Sequence, residues 1–153
     1  MIERGRTEDA DRVADLWVEL AADQLAHGSH LRPAENRERI RDSVLRHAVA
    51  GTLLVAREDD VVGFATCSVE TGGYDQEVRR GVVENLYVAA GHRGEGVGTA
   101  LLAAAERTLV DRGCEAVGLD VMAANEDARR FYERHGYTPH RVEMERQLDG
   151  SEE

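Results

Sequence analysis

The sequence predicts an α/β (α+β) domain: a mixed sheet with helices on its faces. Three observations carry that expectation. Strand-like runs at Thr52 to Ala56, Val61 to Val69 and Val82 to Val88 follow one another as a meander. Apolar residues at helical spacing lie on either side of them: Val13, Leu16, Trp17 and Leu20 before, Val97, Leu101, Ala105 and Leu109 after. Between the third run and the second stripe, an apolar strand passes through a glycine-rich loop, Gly94 to Gly98, into a helix.

Taken in order, Ile2 to Arg6 is a short first strand. Thr7 is placed to cap a helix whose Asp11, Asp15 and Glu19 face water. Gln24 to Arg32 reads as a loop, and Pro33 opens a second, arginine-studded helix reaching about Ala48. The first two β-rich runs join through Asp59-Asp60 as a hairpin. The loop Thr71 to Arg79 leads to the strand ending at Val88. The helix after the glycine loop stops at Gly113. Ala116 to Met122 is a buried-looking strand. Asn125 caps a short helix through Arg134, which Gly136 ends, and Val142 to Leu148 alternates as a final strand. The order is therefore β-α-α-β-β-β-α-β-α-β. Residues 1–148 form one domain and 149–153 an acidic, disordered tail.

With 42% hydrophobic residues and no apolar run near the ~20 residues of a spanning helix, the chain suits a globular core. Met1-Ile2-Glu3-Arg4 is not a signal peptide, so a cytoplasmic protein is expected. Cys67 and Cys114 form no Cys-x-x-Cys motif and read as reduced core residues. Thirty acidic residues stand against 19 basic, a net charge of −11, and every basic residue is arginine. That balance argues against nucleic acid or an anionic membrane as partner. It fits a cationic substrate, a surface adapted to concentrated salt, or, for the missing lysine, an arginine-favouring genome. The six histidines show no metal-ligand spacing beyond His27 and His30 in a loop, so no metal is expected.

Glycines at 94, 96 and 98 let the backbone approach a ligand closely and turn its N–H groups inward. The following helix adds its positive N-terminal end. Together these suit a pyrophosphate. No Gly-Lys-Ser/Thr follows, which excludes a Walker-type loop. The dinucleotide pattern G-x-G-x-x-G/A also fails, because its third position is Thr99 or Leu101.

Arg93-x-x-Gly96-x-Gly98, preceded by Val88 at a strand end, resembles the acyl-CoA pyrophosphate loop of the GNAT superfamily of N-acyltransferases. A second block, Asn125-Glu126-Asp127-Ala128 through Phe131-Tyr132 to Gly136-Tyr137, is similar to that superfamily's Asn-x-x-Ala-x-x-x-Tyr helix ending in Gly-Tyr or Gly-Phe. The motifs cover residues 84–99 and 125–137. The resemblance implies a mostly antiparallel central sheet of six to seven strands with about four flanking helices. It also implies acetyl-CoA as co-substrate and an amine acceptor: a small amine, a polyamine or a protein N-terminus. Backbone N–H groups of Arg93, Gly94, Glu95, Gly96, Val97, Gly98 and Thr99 would hold the pyrophosphate. Leu86, Tyr87 and Val88 would pair with the pantetheine amides, and Asn125 and Ala128 would contact the cofactor.

In the family a tyrosine at the position of Tyr132 points at the CoA sulfur and protonates the leaving thiolate. Ordinary pKa values of ~10 for tyrosine and ~8.5 for a thiol make a full transfer uphill by about 2 kcal/mol, so Tyr132 would act in concert with bond cleavage or as a hydrogen-bond donor. Glu84 lies between Val82 and Leu86 in an apolar strand. Partly buried there with a raised pKa, it would take the proton an amine must lose before attack, directly or through water. Asp120 is a second such carboxylate. Neither cysteine has an adjacent base, which favours direct transfer in a ternary complex over an acyl-enzyme. The alternatives are a non-catalytic acyl-CoA-binding regulatory module and, outside the family, a nucleotide-binding oxidoreductase. The C-terminal strand could pair across a homodimer.

Overall fold

The computed structural model describes residues 1–71 and 74–149. Its regular elements are β1 (Ile2–Arg4), α1 (Ala10–Leu25), α2 (Arg37–Ala50), β2 (Leu53–Glu58), β3 (Asp60–Val69), β4 (Arg80–Val88), α3 (Val97–Asp111), β5 (Ala116–Leu119) and α4 (Glu126–Arg134). Single 3₁₀ turns lie at Thr7–Asp9, Ala34–Asn36 and Ala90–His92. The strands form one sheet in the order β1-β2-β3-β4-β5. All pairs are antiparallel except β4–β5, which the α3 crossover makes parallel. Gly72 and Gly73, in the loop expected over 71–79, and residues 150–153 of the expected tail lie outside the described residues. No described helix is long and apolar enough to cross a membrane.

Both faces of the sheet are covered, which is why β2 and β3 read as nearly continuous apolar runs. Leu53, Val55 and Phe64 pack on one face against Val13 and Leu16 of α1 and Ile40 and Val44 of α2. Leu54, Ala56, Ala65, Cys67 and Val83 pack on the other against Leu101, Leu102, Ala105 and Leu109 of α3. Most of these side chains are fully buried, and each large one contributes roughly 1.5–3 kcal/mol of burial free energy. Cys67 and Cys114 are both buried and unpaired, as expected.

Three local expectations change. The sheet has five strands among the described residues, and the strand expected over Val142 to Leu148 does not form. Val142, Met144 and Leu148 are 75%, 89% and 78% exposed. Alternation alone makes no strand where no neighbour offers a ladder or an apolar face to bury it. β5 ends at Leu119, not Met122. Thr7 caps nothing: it opens a 3₁₀ turn, and the carboxylate of Asp9 instead accepts the Arg6 N–H at 2.8 Å.

Asp9 also receives the Arg57 guanidinium at 2.8 Å, tying the start of α1 to β2. Burial by itself would raise the Asp9 pKa, but the Arg57 contact and the Arg6 N–H outweigh it and hold the group below its ordinary value. A carboxylate depressed in the folded state stabilises above its unfolded pKa and loses that contribution as pH falls through the folded value. Asp9→Asn is therefore expected to cost about 1–3 kcal/mol at pH 7. Urea unfolding should show the gap to wild type closing on acidification; a gap independent of pH would contradict the ionised role.

Candidate active site

β4 carries one extra residue. Thr66 pairs with Asn85 and Cys67 with Val83, so Glu84 has no partner across the ladder. A bulge of this kind bends and twists its strand. On the other side, β4 pairs with β5 only from Arg80↔Ala116 to Val83↔Leu119. Beyond Val83 the two chains part, and β5 gives way to irregular backbone at Asp120.

The gap between the parting strands is a cleft of about 90 Å³. Val83, Glu84, Asn85 and Leu86 form one wall and Asp120, Val121 and Met122 the other. Asn125, Ala128 and Tyr132 close it from α4, and Leu20 and Gln24 reach it from α1. Six of the residues singled out by sequence, Glu84, Leu86, Asp120, Asn125, Ala128 and Tyr132, thus meet at one place. A larger hollow of about 530 Å³ lies between β1 and α3, lined by Ile2, Leu54, Ala100 and Arg107 among others. It gathers none of the singled-out residues.

The bulge corrects the expectation for Glu84. Leu86 packs on the α3 side with Val83, whereas Glu84 turns the other way, toward α2, where its carboxylate lies 3.1 Å from His47 Nε2. The side chain is 41% exposed. The expected raised pKa is overturned: the His47 hydrogen bond, opposed by partial burial and aided by the Ser68 hydroxyl, holds Glu84 below its ordinary value. Strict strand alternation would have placed Glu84 beside Leu86; the extra residue breaks it.

Tyr132 goes the other way. Burial alone pushes its pKa up to about 12. Its ring packs edge-on against Phe131 and Tyr137, with centroids 5.2 and 5.9 Å apart. Gly136, at φ 91°, turns the chain back after α4, so that Tyr137 donates its hydroxyl to Glu106 of α3 at 2.6 Å and buttresses Tyr132. Asn125 caps α4 by accepting the Ala128 N–H at 3.1 Å.

Next to the cleft, Gly94 and Gly96 have φ of 81° and 83°. A Cβ on either would meet nothing within 4 Å, so conformation and not crowding requires glycine there. This backbone leads into α3, whose first N–H groups have no partner within the helix. The Arg93 side chain is engaged elsewhere. Its Nε donates to Val88 O at 3.0 Å, Nη2 reaches Asp23 of α1 at 3.4 Å, and the guanidinium sits 5.2 Å over the Tyr87 ring. Tyr87 points to the α1 face and donates to Glu19 at 3.2 Å. Val88, Val97 and Leu86 pack on the α3 side. Thr99 Oγ1 lies 3.2 Å from His135 Nε2, joining the start of α3 to the end of α4.

Sequence reasoning missed His47, Thr52 and Ser68 behind Glu84, and Leu20 and Met122 in the cleft lining. In the loop that carries His27 and His30, His30 pairs with Glu145 at 2.9 Å, and Gly28 faces the Met122 side chain. Among the described residues, Glu58, His92 and Glu95 bring three ligand atoms within 4.8 Å of one another, a cluster that sequence spacing did not suggest.

The family model for the acetyltransferase (GNAT) family matches residues 10–137. Solved structures resemble the whole fold. A mutant of the BH1408 protein from Bacillus halodurans is 20% identical, with 97% of this chain and 99% of that one covered and a TM-score of 0.81. A GCN5-related N-acetyltransferase from Ralstonia eutropha is 24% identical over 97% of each chain, with a TM-score of 0.75. The aminoglycoside N-acetyltransferase AAC(6')-Iy in complex with CoA is 20% identical over 96% of this chain and 93% of that one, with a TM-score of 0.73.

If the loop is an anion site built from backbone donors, Gly96→Val should weaken inorganic pyrophosphate binding at least tenfold. A β-branched residue is strained at φ 83° by roughly 1–2 kcal/mol, so the thermal midpoint should move only a few degrees. Amide shifts of residues 94–99 during a pyrophosphate titration read the binding. Equal affinity in the variant would show that the anion does not use this backbone.

Proposed function

The chain belongs to the acetyltransferase (GNAT) family, and on that premise we propose that it moves the acetyl group of acetyl-CoA to an amine by direct attack in a ternary complex. The observation that carries this reading is the meeting of Glu84 and Tyr132 in one cleft, where β4 leaves β5 beside the glycine loop. Backbone N–H groups from Arg93 to Thr99 suit the diphosphate. The β4 edge that β5 leaves unpaired, Leu86 to Val88, suits the pantetheine amides, and an N–H there can polarise the thioester carbonyl. Asn125 and Ala128 line the same passage.

The amine nitrogen attacks the thioester carbon, a C–N bond forms, and the C–S bond breaks. The amine proton leaves toward Glu84. His47 keeps that carboxylate ionised and so able to accept the proton, directly or through a water between the two. The CoA sulfur departs as a thiolate. With Tyr132 at about 12 against ~8.5 for a free thiol, full proton transfer would be uphill by on the order of 5 kcal/mol. Tyr132 therefore stabilises the thiolate as a hydrogen-bond donor. Because burial keeps Tyr132 protonated through neutral pH, its donor role is constant there. A neighbour of this fold, AAC(6')-Iy, binds the bisubstrate analog CoA-S-monomethyl-acetylneamine, which supports a ternary complex here. Carboxylates of Glu84 and Asp120 at the mouth favour a cationic acceptor here.

Mass spectrometry of a pool of polyamines, amino acids and short peptides, incubated with acetyl-CoA at low and molar KCl, tests the reading. An acetyl gain on one member is expected. Acetyl-CoA binding without any gain would support the binding-module alternative instead. Tyr132→Phe is expected to lower turnover at least tenfold while the Kd for acetyl-CoA stays within twofold; unchanged turnover would remove Tyr132 from the chemistry.

A further inference from the structure

A hydrogen-bonded chain stands behind Glu84. His47 Nε2 faces Glu84 Oε1 at 3.1 Å, and His47 Nδ1 faces the Thr52 hydroxyl at 2.7 Å. That hydroxyl also lies 3.4 Å from His47 O. The local fold builds this chain from contiguous sequence. Gly51 ends α2 in the left-handed region at φ 79°, and the reversed chain brings Thr52 back, its N–H donating to His47 O at 2.9 Å. Thr52 is 4% exposed and the His47 side chain 15%.

We propose that His47, fixed by Thr52, is the positioning residue that presents the Glu84 carboxylate to the acceptor amine. The proposal rests on the acetyl-transfer reading of the cleft. An ionised carboxylate only accepts hydrogen bonds, so Nε2 must carry a hydrogen toward Glu84. In the neutral ring Nδ1 is then an acceptor, and the Thr52 hydroxyl donates to it. When the ring takes a second proton at Nδ1, Thr52 becomes the acceptor and turns its hydrogen to His47 O. Thr52 thus holds Nε2–H on Glu84 in both states without backbone movement. The Ser68 hydroxyl of β3 contributes a second hydrogen bond to the carboxylate. One face of Glu84 is fixed in this way, and its exposed part remains for the amine or its water.

Such orientation matters because Glu84 sits on a bulge, where the ladder does not hold its backbone on both sides. The surroundings leave His47 as the group that governs this carboxylate. Arg112, just past α3, and Arg4 of β1 lie beside Gly51. Cys67 of β3 is kept neutral by burial, its pKa about 11. Leu20 and Gln24 of α1 bring no charge to the cleft, and Asp120 stands on the opposite wall.

Two readouts test this on the whole chain. Nitrogen-15 histidine NMR should show neutral His47 protonated at Nε2, with the preference reduced in Thr52→Val, and carboxyl carbon-13 NMR should show the Glu84 titration rising toward the ordinary value in His47→Leu. Kinetics with acetyl-CoA and the amine most acetylated in the pool should show His47→Leu lowering kcat/KM for the amine at least tenfold, with acetyl-CoA affinity within twofold. His47→Gln, which keeps an N–H donor, should recover most of that loss. An Nδ1-protonated resting ring, or a leucine variant with unchanged amine kinetics, would overturn the proposal. If the NMR signatures hold but wild type acetylates no amine in the pool, the acetyl-transfer reading fails and the role falls with it, while the hydrogen-bond chain stands.

Discussion

The unpaired residue at Glu84 constrains everything built around the cleft. Opposite the step from Thr66 to Cys67, β4 has one residue more than β3, and the surplus must be absorbed as bend and twist. β5 follows β4 only as far as Val83. The outcome is a sheet closed at one end and open at the other, with unpaired β4 backbone facing the opening. The glycine loop and the start of α3 come next in sequence, so free backbone N–H groups and an open strand edge are neighbours by construction. α4 then returns across the same opening and brings Tyr132 to it.

The two titratable side chains at the opening live in opposite environments. Tyr132 is packed among Phe131, Tyr137 and the α3 face, and desolvation keeps its proton on. Glu84 faces the α2 side, half exposed, with a donor from His47 keeping its proton off. Under the proposed reading, groups driven apart in this manner rest at neutral pH as a protonated hydrogen-bond donor and an ionised proton acceptor. Arg93 adds a mechanical link. It reaches Val88 O, Asp23 and the Tyr87 ring at once, linking the start of the glycine loop to the C-terminal half of α1. Leu20 and Gln24, on that same stretch of α1, line the mouth.

Much of this was legible in the chain. The three consecutive strands, the glycine loop and the capped α4 follow from local chemistry: apolar period, left-handed glycines, and an Asn placed three residues before the amide it caps. Tyr132 and Glu84 were legible as side chains of interest. The environment of Glu84 was not, because strand alternation assumes a ladder without bulges, and a bulge is set by the partner strand. The His47–Thr52 chain had a readable local part, a histidine five residues before a threonine with glycine between, but its direction toward β4 depends on how α2 packs. The last expected strand failed for a related reason. Residues 142–148 alternate correctly, yet a strand is made by its neighbour as much as by its own sequence.

Hydrogen exchange on the intact protein, with and without CoA, bears most directly on the central claim that the opening between β4 and β5 receives the cofactor. The account predicts new protection at the amides of Leu86 to Val88 and across residues 93–99, with α1 responding weakly through Arg93. Protection confined to Ile2 to Arg4 and the exposed side of α3, around the larger hollow, would contradict it.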